Sequence, residues 1–222
     1  MAITFVQSGS LTGSNGLSLA FSSSNAAGNC LIVAVMANTN ATFVVSDTQG
    51  NVYQQMVALA VPLSSIQMQI FYVTSSRAGT NTVSFNPGTT TVSALAIHEF
   101  FGVSNFDVSA SAASSGFSVD SGPATTTAAS ELIFGYIAGQ GTSLTLITEG
   151  AGFTRGEGSV FATNTAVFLT EHQIVNSTGS YDATGTMSVG KGRSLTWSAE
   201  VAAFGGIPGL SGGSLGLMGV GA

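Results

Sequence analysis

Ala27–Asn38 reads AGNCLIVAVMAN, and Ala128–Gly139 reads AASELIFGYIAG. Each is a short apolar run, rich in β-branched or aromatic residues and entered through Gly, Asn or Ser, which is the composition of a strand. With Leu31 set against Leu132 the two stretches stand 101 residues apart, and TFVV from Thr42 and SLTL from Ser143 follow with the same spacing. Related strands also close the two segments: SALAIHEF ends at Phe100 and WSAEVAAF at Phe204. The chain therefore reads as two related half-motifs, about 26–101 and 127–204, inside one domain spanning 1–204.

Strand signals continue on both sides of these runs, near Ile3–Gln7, Leu17–Phe21, Thr42–Ser46, Val52–Ala60, Ile66–Thr74, Thr82–Phe85 and Val92–Phe101. In the second half they fall near Glu131–Ala138, Leu144–Thr148, Phe153–Arg155, Ala166–Val175, Tyr181–Val189 and Leu195–Phe204. No segment carries an apolar stripe at helical spacing with a capped start. So many short strands predict an all-β fold, a single two-sheet antiparallel sandwich with jelly-roll-like wrapping. One sandwich is preferred to two because the join SSGFSVDSGPATTTAASEL (Ser114–Leu132) is short, and each half offers too few strands to cover both faces of its own sheet.

Composition narrows the function. Of the 222 residues 44% are hydrophobic and only 6% charged, where soluble domains carry about 25%, with net charge −6 and a pI near 4.5. Four cations cannot make a phosphate-binding surface, so nucleic acid is excluded as a partner, and anionic lipid is disfavoured. The longest apolar run, Cys30–Ala37, is too short to cross a bilayer. MAITFVQSGS lacks the basic start of a secretory signal. Cys30, the one cysteine, reads as a core residue. A surface hydrated by Ser, Thr, Asn and Gly with little mutual repulsion suits a protein packed against others.

No motif carries a reaction. GLSGG (Gly209–Gly213) and GGSLG (Gly212–Gly216) imitate a nucleophile elbow, but His98 and His172 precede both serines and no acid follows. HEFFG at His98 lacks the second histidine of a zincin helix. His98–Glu99 and Glu171–His172 lie on strands, where neighbours point to opposite faces, so each pair offers at most one ligand to a given side. SDTQGNVY (Ser46–Tyr53) reads as a hairpin turn braced by Asp47. Glu157 with Asp182, or Glu149 with Glu157, would need a defined separation to act as paired carboxylates. Trp197 shares a strand face with Ala199, Val201 and Ala203 and reads as core rather than as a sugar-stacking platform.

The succession AAGNCLIVAVMA, VSDTQGNVYQQ, NTVSF, IHEFFGVSNFDVSAS and TTTAASELIFGYIAG followed by GAGFT resembles a family of bacterial and phage β-sandwich modules. The match runs from about residue 26 to 155. Its motifs are turn and core residues, so the resemblance implies a sandwich in a surface or virion protein and no active site. Beyond it, residues 205–222 form a Gly-rich C-terminal arm in which Leu210, Leu215, Leu217, Met218 and Val220 are candidate partner-binding residues. The expected role is a non-enzymatic, cofactor-free assembly protein of a virion: a capsid decoration, head or tail fibre component that binds itself and a capsid or tail scaffold. A carbohydrate-binding module or an extracellular filament protomer is the alternative. The protein should give a β-dominated circular dichroism spectrum, and chelators should leave its melting temperature unchanged. A chelator-induced drop of many degrees would make Asp47, His98 or His172 a metal ligand.

Overall fold

The computed structural model describes residues 2–62, 64–89, 91–161, 165–188 and 195–208. Among them every regular element is a strand. The first half holds β1 (Thr4–Ser14), β2 (Leu17–Ala20), β3 (Cys30–Ala37), β4 (Val44–Asp47), β5 (Gln54–Gln55), β6 (Leu59–Ala60), β7 (Gln67–Val73), β8 (Thr82–Asn86) and β9 (Val92–Phe101). The second holds β10 (Val103–Ser115), β11 (Ser118–Asp120), β12 (Ala124–Thr125), β13 (Glu131–Gln140) and β14 (Thr148–Glu149). It continues with β15 (Thr154–Val160), β16 (Ala166–Val175), β17 (Ser180–Tyr181), β18 (Thr184–Thr186) and β19 (Thr196–Gly206).

Two large antiparallel sheets pack face to face. The first has the order β1-β9-β3-β7-β5, with β6 also on β7, and the second β10-β19-β13-β16-β15. Each comes wholly from one half of the chain. Cys30, Ile32, Ala34 and Met36 of β3 meet Leu132, Phe134, Tyr136 and Ala138 of β13 in the central core. This pair is the antiparallel sandwich that the strand pattern predicts.

The outer face of each main sheet is covered as well. The small sheet β2-β8-β4 lies over the first, and β11-β18-β14 with β12-β17 over the second. Leu31, Val33 and Val35 pack beneath Leu17, Val83 and Phe85. Ile137, Leu169 and Trp197 pack beneath Val119 and Met187. Each half thus covers the outer face of its own main sheet, and the inner face is covered by the other half. Sequence reading missed the strands of the stretch 103–125, which holds β10, β11 and β12 but is dominated by Ser, Ala and Gly rather than by β-branched residues. Within each half the strands pair in a nested order. β1 joins β9, β2 joins β8 and β3 joins β7; in the second half β10 joins β19, β11 joins β18 and β13 joins β16. The chain passes repeatedly between main and cover sheet in each half.

The repeat is in the structure, but one residue out of phase with the alignment of Leu31 on Leu132. Leu31 points outward to the cover sheet and Leu132 inward to the central core. The partners correct the phase: Cys30 lies opposite Phe100 and Leu132 opposite Phe204, so Cys30 and Leu132 are equivalent. Both faces of these strands are buried, so the runs lack the alternation that would mark which side a residue takes.

The halves are locked by two sets of rings related by the same repeat. Phe5 of β1 stacks on His172 of β16 with centroids 5.4 Å apart, and Phe100 of β9 meets both edge-on at 5.7 and 5.3 Å. In the counterpart, Phe106 of β10 stacks on Tyr72 of β7 at 5.6 Å, and Phe204 of β19 meets both edge-on at 5.8 and 5.3 Å. Each set takes two rings from one half and one from the other. A bulge follows Phe5 in β1 and follows Phe106 in β10 at the matching place, so both edge strands re-aim after their ring. Such edge-to-face pairs add about 0.5–1.5 kcal/mol each beyond the area they bury.

Where the second half departs from the first, glycine makes room. A Cβ on Gly135 of β13 would stand 2.7 Å from Glu171 Cγ, and one on Gly139 2.0 Å from Met187 Cε. The cover layer thus sits directly on the β13 backbone. Truncating Phe100 or Phe204, both fully buried, to alanine should cost about 3–5 kcal/mol in chemical denaturation. The partly exposed Phe5 and Phe106 should cost clearly less. Equal losses at all four positions would mean that the two ring sets do not hold the sheets together as described.

Candidate functional site: buried polar groups and two unlike flanks

Polar side chains inside this sandwich are set by the alternation of its strands. On β9, His98 faces the central core and Glu99 the first cover layer; on β16, His172 faces the core and Glu171 the second cover layer. Each histidine–glutamate pair is split across a sheet, as strand geometry requires. Among the described residues no group of three His, Cys, Asp or Glu side chains is close enough to hold a metal ion.

Glu99 is fully buried and fully answered. Gln7 Nε2 and Asn25 Nδ2 donate to Oε2 at 2.6 and 2.7 Å, and Asn29 Nδ2 and the Ala26 amide donate to Oε1 at 2.7 and 3.0 Å. Four donors on one carboxylate pin the entry to β3 against β1 and β9. Asp47 does the same for the next crossing. Asn51 donates to it through its amide and its side chain, and Tyr53 Oη and Asn81 Nδ2 reach Oδ2 at 2.9 Å. Against the penalty of burial these donors hold Asp47 below its ordinary pKa. Gly50, at φ 67°, supplies the left-handed turn residue. The segment is a braced turn but not a hairpin: β4 pairs with β8 in the cover sheet and β5 with β7 in the main sheet, so the turn carries the chain between layers.

In the second half the counterpart is weaker. Arg155 Nη1 donates to the Ile147 carbonyl at 2.8 Å and to Glu149 Oε2 at 2.9 Å. Beneath them Glu171 accepts from the Gly150 amide at 2.7 Å. Burial lifts Glu171 to about 7, the Gly150 and Thr184 amides offsetting part of the rise. An open recess of about 370 Å³ lies above, lined by Glu149, Gly150, Asp120 and Thr184. Glu157 is not part of this group, since it turns the other way, toward the first main sheet. The carboxylates that sequence spacing offers as a pair, Glu149 and Glu157, thus stand on opposite sides of the second sheet.

Glu157 closes one flank of the sandwich. The Ser8 and Ser10 hydroxyls of β1 donate to its carboxylate at 2.6 and 2.7 Å. Its amide donates to Thr170 Oγ1 at 2.7 Å, and Thr170 Oγ1 in turn meets His98 Nε2 at 3.0 Å. Burial, with the neighbouring His172, drives His98 down to about 3, so its imidazole is neutral at working pH. A Cβ on Gly156 would come within 2.7 Å of Thr170 Oγ1 and 3.1 Å of His98 Nε2, so the chain passes this cluster with no side chain between.

The opposite flank is built on the same plan and left open. Ring for ring, Phe106 matches Phe5, so Ser109 and Ser111 of β10 match Ser8 and Ser10. Both are exposed. By the pairing of β5 on β7 and of β15 on β16, the place of Glu157 falls to Val57, which is 69% exposed. β10 pairs with β19 on one side, and no strand among the described residues pairs with the other.

The remaining candidates are placed as follows. Cys30 is fully buried, and burial pushes its thiol well above the ordinary range. Trp197 is 5% exposed and packs with Ala199 beneath the second cover sheet. Leu210, Leu215, Leu217, Met218 and Val220 lie outside the described residues. Gly205 and Gly206, assigned from sequence to the arm, belong to β19: Gly205 pairs with Asn105 and Glu131, and the Gly206 amide donates to the Ser130 carbonyl at 2.8 Å. Comparison with protein-family models, curated proteins and solved structures finds no match.

Glu200, buried opposite Tyr136 on the core side of β19, is lifted by burial to about 8. An acid whose folded pKa lies above its unfolded value stabilises the fold below the unfolded value and loses that contribution as pH rises through the folded one. Between pH 6.5 and 9 the fold should therefore weaken, with Glu200 the last group to ionise. The lowered His98 and His172 act only on the acid side, losing their contribution as pH falls below about 6.5. Glu200→Gln should flatten the alkaline decline in denaturation free energy. An unchanged profile in that variant would show that Glu200 does not titrate there.

Proposed function

We propose that this chain is a structural, non-enzymatic building block of a larger assembly, a phage-type virion component of the capsid-decoration, head or tail fibre kind. The supporting observation is where the few charges sit. Of ten acidic residues in the chain, Glu99, Glu131, Glu171 and Glu200 are buried at 0–2% exposure, and the chain has only four cations. A surface this poor in charge does little to keep copies apart. It also carries exposed Val44, Val52, Val57, Phe117 and Leu146, and uncharged, partly apolar faces mark interfaces. The resemblance of the turn and strand motifs to phage and bacterial sandwich modules points the same way. In this reading the segment from 209 to 222, free of charged side chains, is the arm that joins copies to one another or to a scaffold.

The full chain is expected to sediment as an oligomer. A chain ended after Pro208 keeps every described strand, so it should retain the β spectrum and melting temperature while losing assembly. The earlier boundary at Phe204 would remove sheet residues and confuse the two effects. A full chain that stays monomeric at high concentration would overturn the assembly role, and an arm-less chain that assembles normally would overturn the role of the arm.

A further inference from the structure

The two flanks of the sandwich are a comparison built into one molecule. On one, a carboxylate from β15 bridges to the two serines of β1. On the other, the equivalent serines, Ser109 and Ser111, are exposed and make no side-chain hydrogen bond among the described residues, and an exposed valine replaces the glutamate. From Val108 to Val119 the sequence VSASAASSGFSV has neither a charge nor a proline. Proteins that keep a long edge strand to themselves guard it with lysine, proline or a covering loop. β10 is the longest strand among those described, and among the described residues its edge from Val108 to Ser115 has no such guard.

Resting on the arm reading above, we propose that this flank is the receiving site for residues 209–222 of a neighbouring copy, which add a strand to the free edge of β10. Two observations select the arm as occupant. Residues 209–222 follow a strand end at the foot of β10: Gly206 lies opposite Val103, and the Ile207 amide donates to the Gly102 carbonyl at 2.8 Å. Edge and arm also agree in chemistry. Backbone pairing supplies the affinity in strand addition, the glycines of the arm allow close approach, and its leucines and Met218 find apolar surface at Val57 and at Phe117, which is 54% exposed at the far end of β10. A neighbour is the recipient because β19 already fills one side of its own β10, and the arm would have to cross over that strand to reach the other side.

Complementation between two defective chains tests this. One chain carries Ser109→Lys with Ser111→Lys, which places charge on the edge and leaves the arm intact. The other ends after Pro208, which removes the arm and leaves the edge intact. Both substituted positions are exposed, so both chains should keep the parent spectrum and melting temperature. Each alone should sediment as a monomer, and an equimolar mixture should form a heteromer. In the full chain, amide exchange across 108–115 should be slowed at least about tenfold relative to the arm-less chain. If the lysine chain assembles as well as the parent, the arm docks elsewhere; the docking site is then wrong and the arm reading stands. If the arm-less chain assembles as the parent does, both are wrong. If the mixture stays monomeric while each defect abolishes assembly, the edge does not receive the arm and the docking site is wrong.

Discussion

Everything else in the molecule depends on one contact, the meeting of two sheets that each come from a single half of the chain. Sheets formed independently could slide or rotate against one another, because an apolar interface is non-directional. The two ring sets remove that freedom. Phe5, Phe100 and His172 at one side, and Phe106, Phe204 and Tyr72 at the other, each reach across the interface for their third member. The geometry of a stacked pair with a third ring edge-on is specific, and having it twice fixes both position and angle. Neither half can complete its aromatic set alone.

A core closed on both faces of the central strands β3, β9, β13, β16 and β19 leaves polar groups few places to go. Glu99 accepts four hydrogen bonds, and Asp47 stitches the turn between layers. Glu171 and Glu200 have fewer donors, and burial holds both in a range where their protonation changes near neutral pH. In the first half amide donors surround the buried carboxylate of Glu99. In the second, donors are fewer and burial raises Glu171 and Glu200. Buried, unpaired charge is costly enough that one of these two solutions is needed.

Duplication makes differences between the halves readable. The bulge after each edge-strand ring, the nested pairing and the cover sheets are common to both. What differs is Glu157 against Val57 on the two flanks, and Glu171 with Gly135 beneath the second cover layer where the first half has Phe71 in the matching strand. A closed flank on one side shows that the fold tolerates closure, and among the described residues β10 lacks it. Low charge outside and an open flank belong to one physical picture, a surface with little to repel a copy of itself.

The sequence by itself determined the fold class, because short apolar runs punctuated by Gly, Asn and Asp fit strands and nothing else. It marked Cys30–Ala37, Val92–Phe101 and Ala166–Val175 to the residue, since their ends coincide with polar breaks. It also separated His98 from Glu99 and Glu171 from His172, which needs only the two-residue period of a strand. Tertiary structure decided what that period leaves open. Runs buried on both faces carry no phase, so Leu31 and Leu132 look equivalent and face opposite ways. β10 was invisible because serine and alanine have little strand preference, and its neighbours in space, not its own side chains, make it a strand. The serines that bind Glu157, and those without a side-chain partner among the described residues, are the same residue type in sequence; only the partner across the flank, about 150 positions away for Ser8, tells them apart.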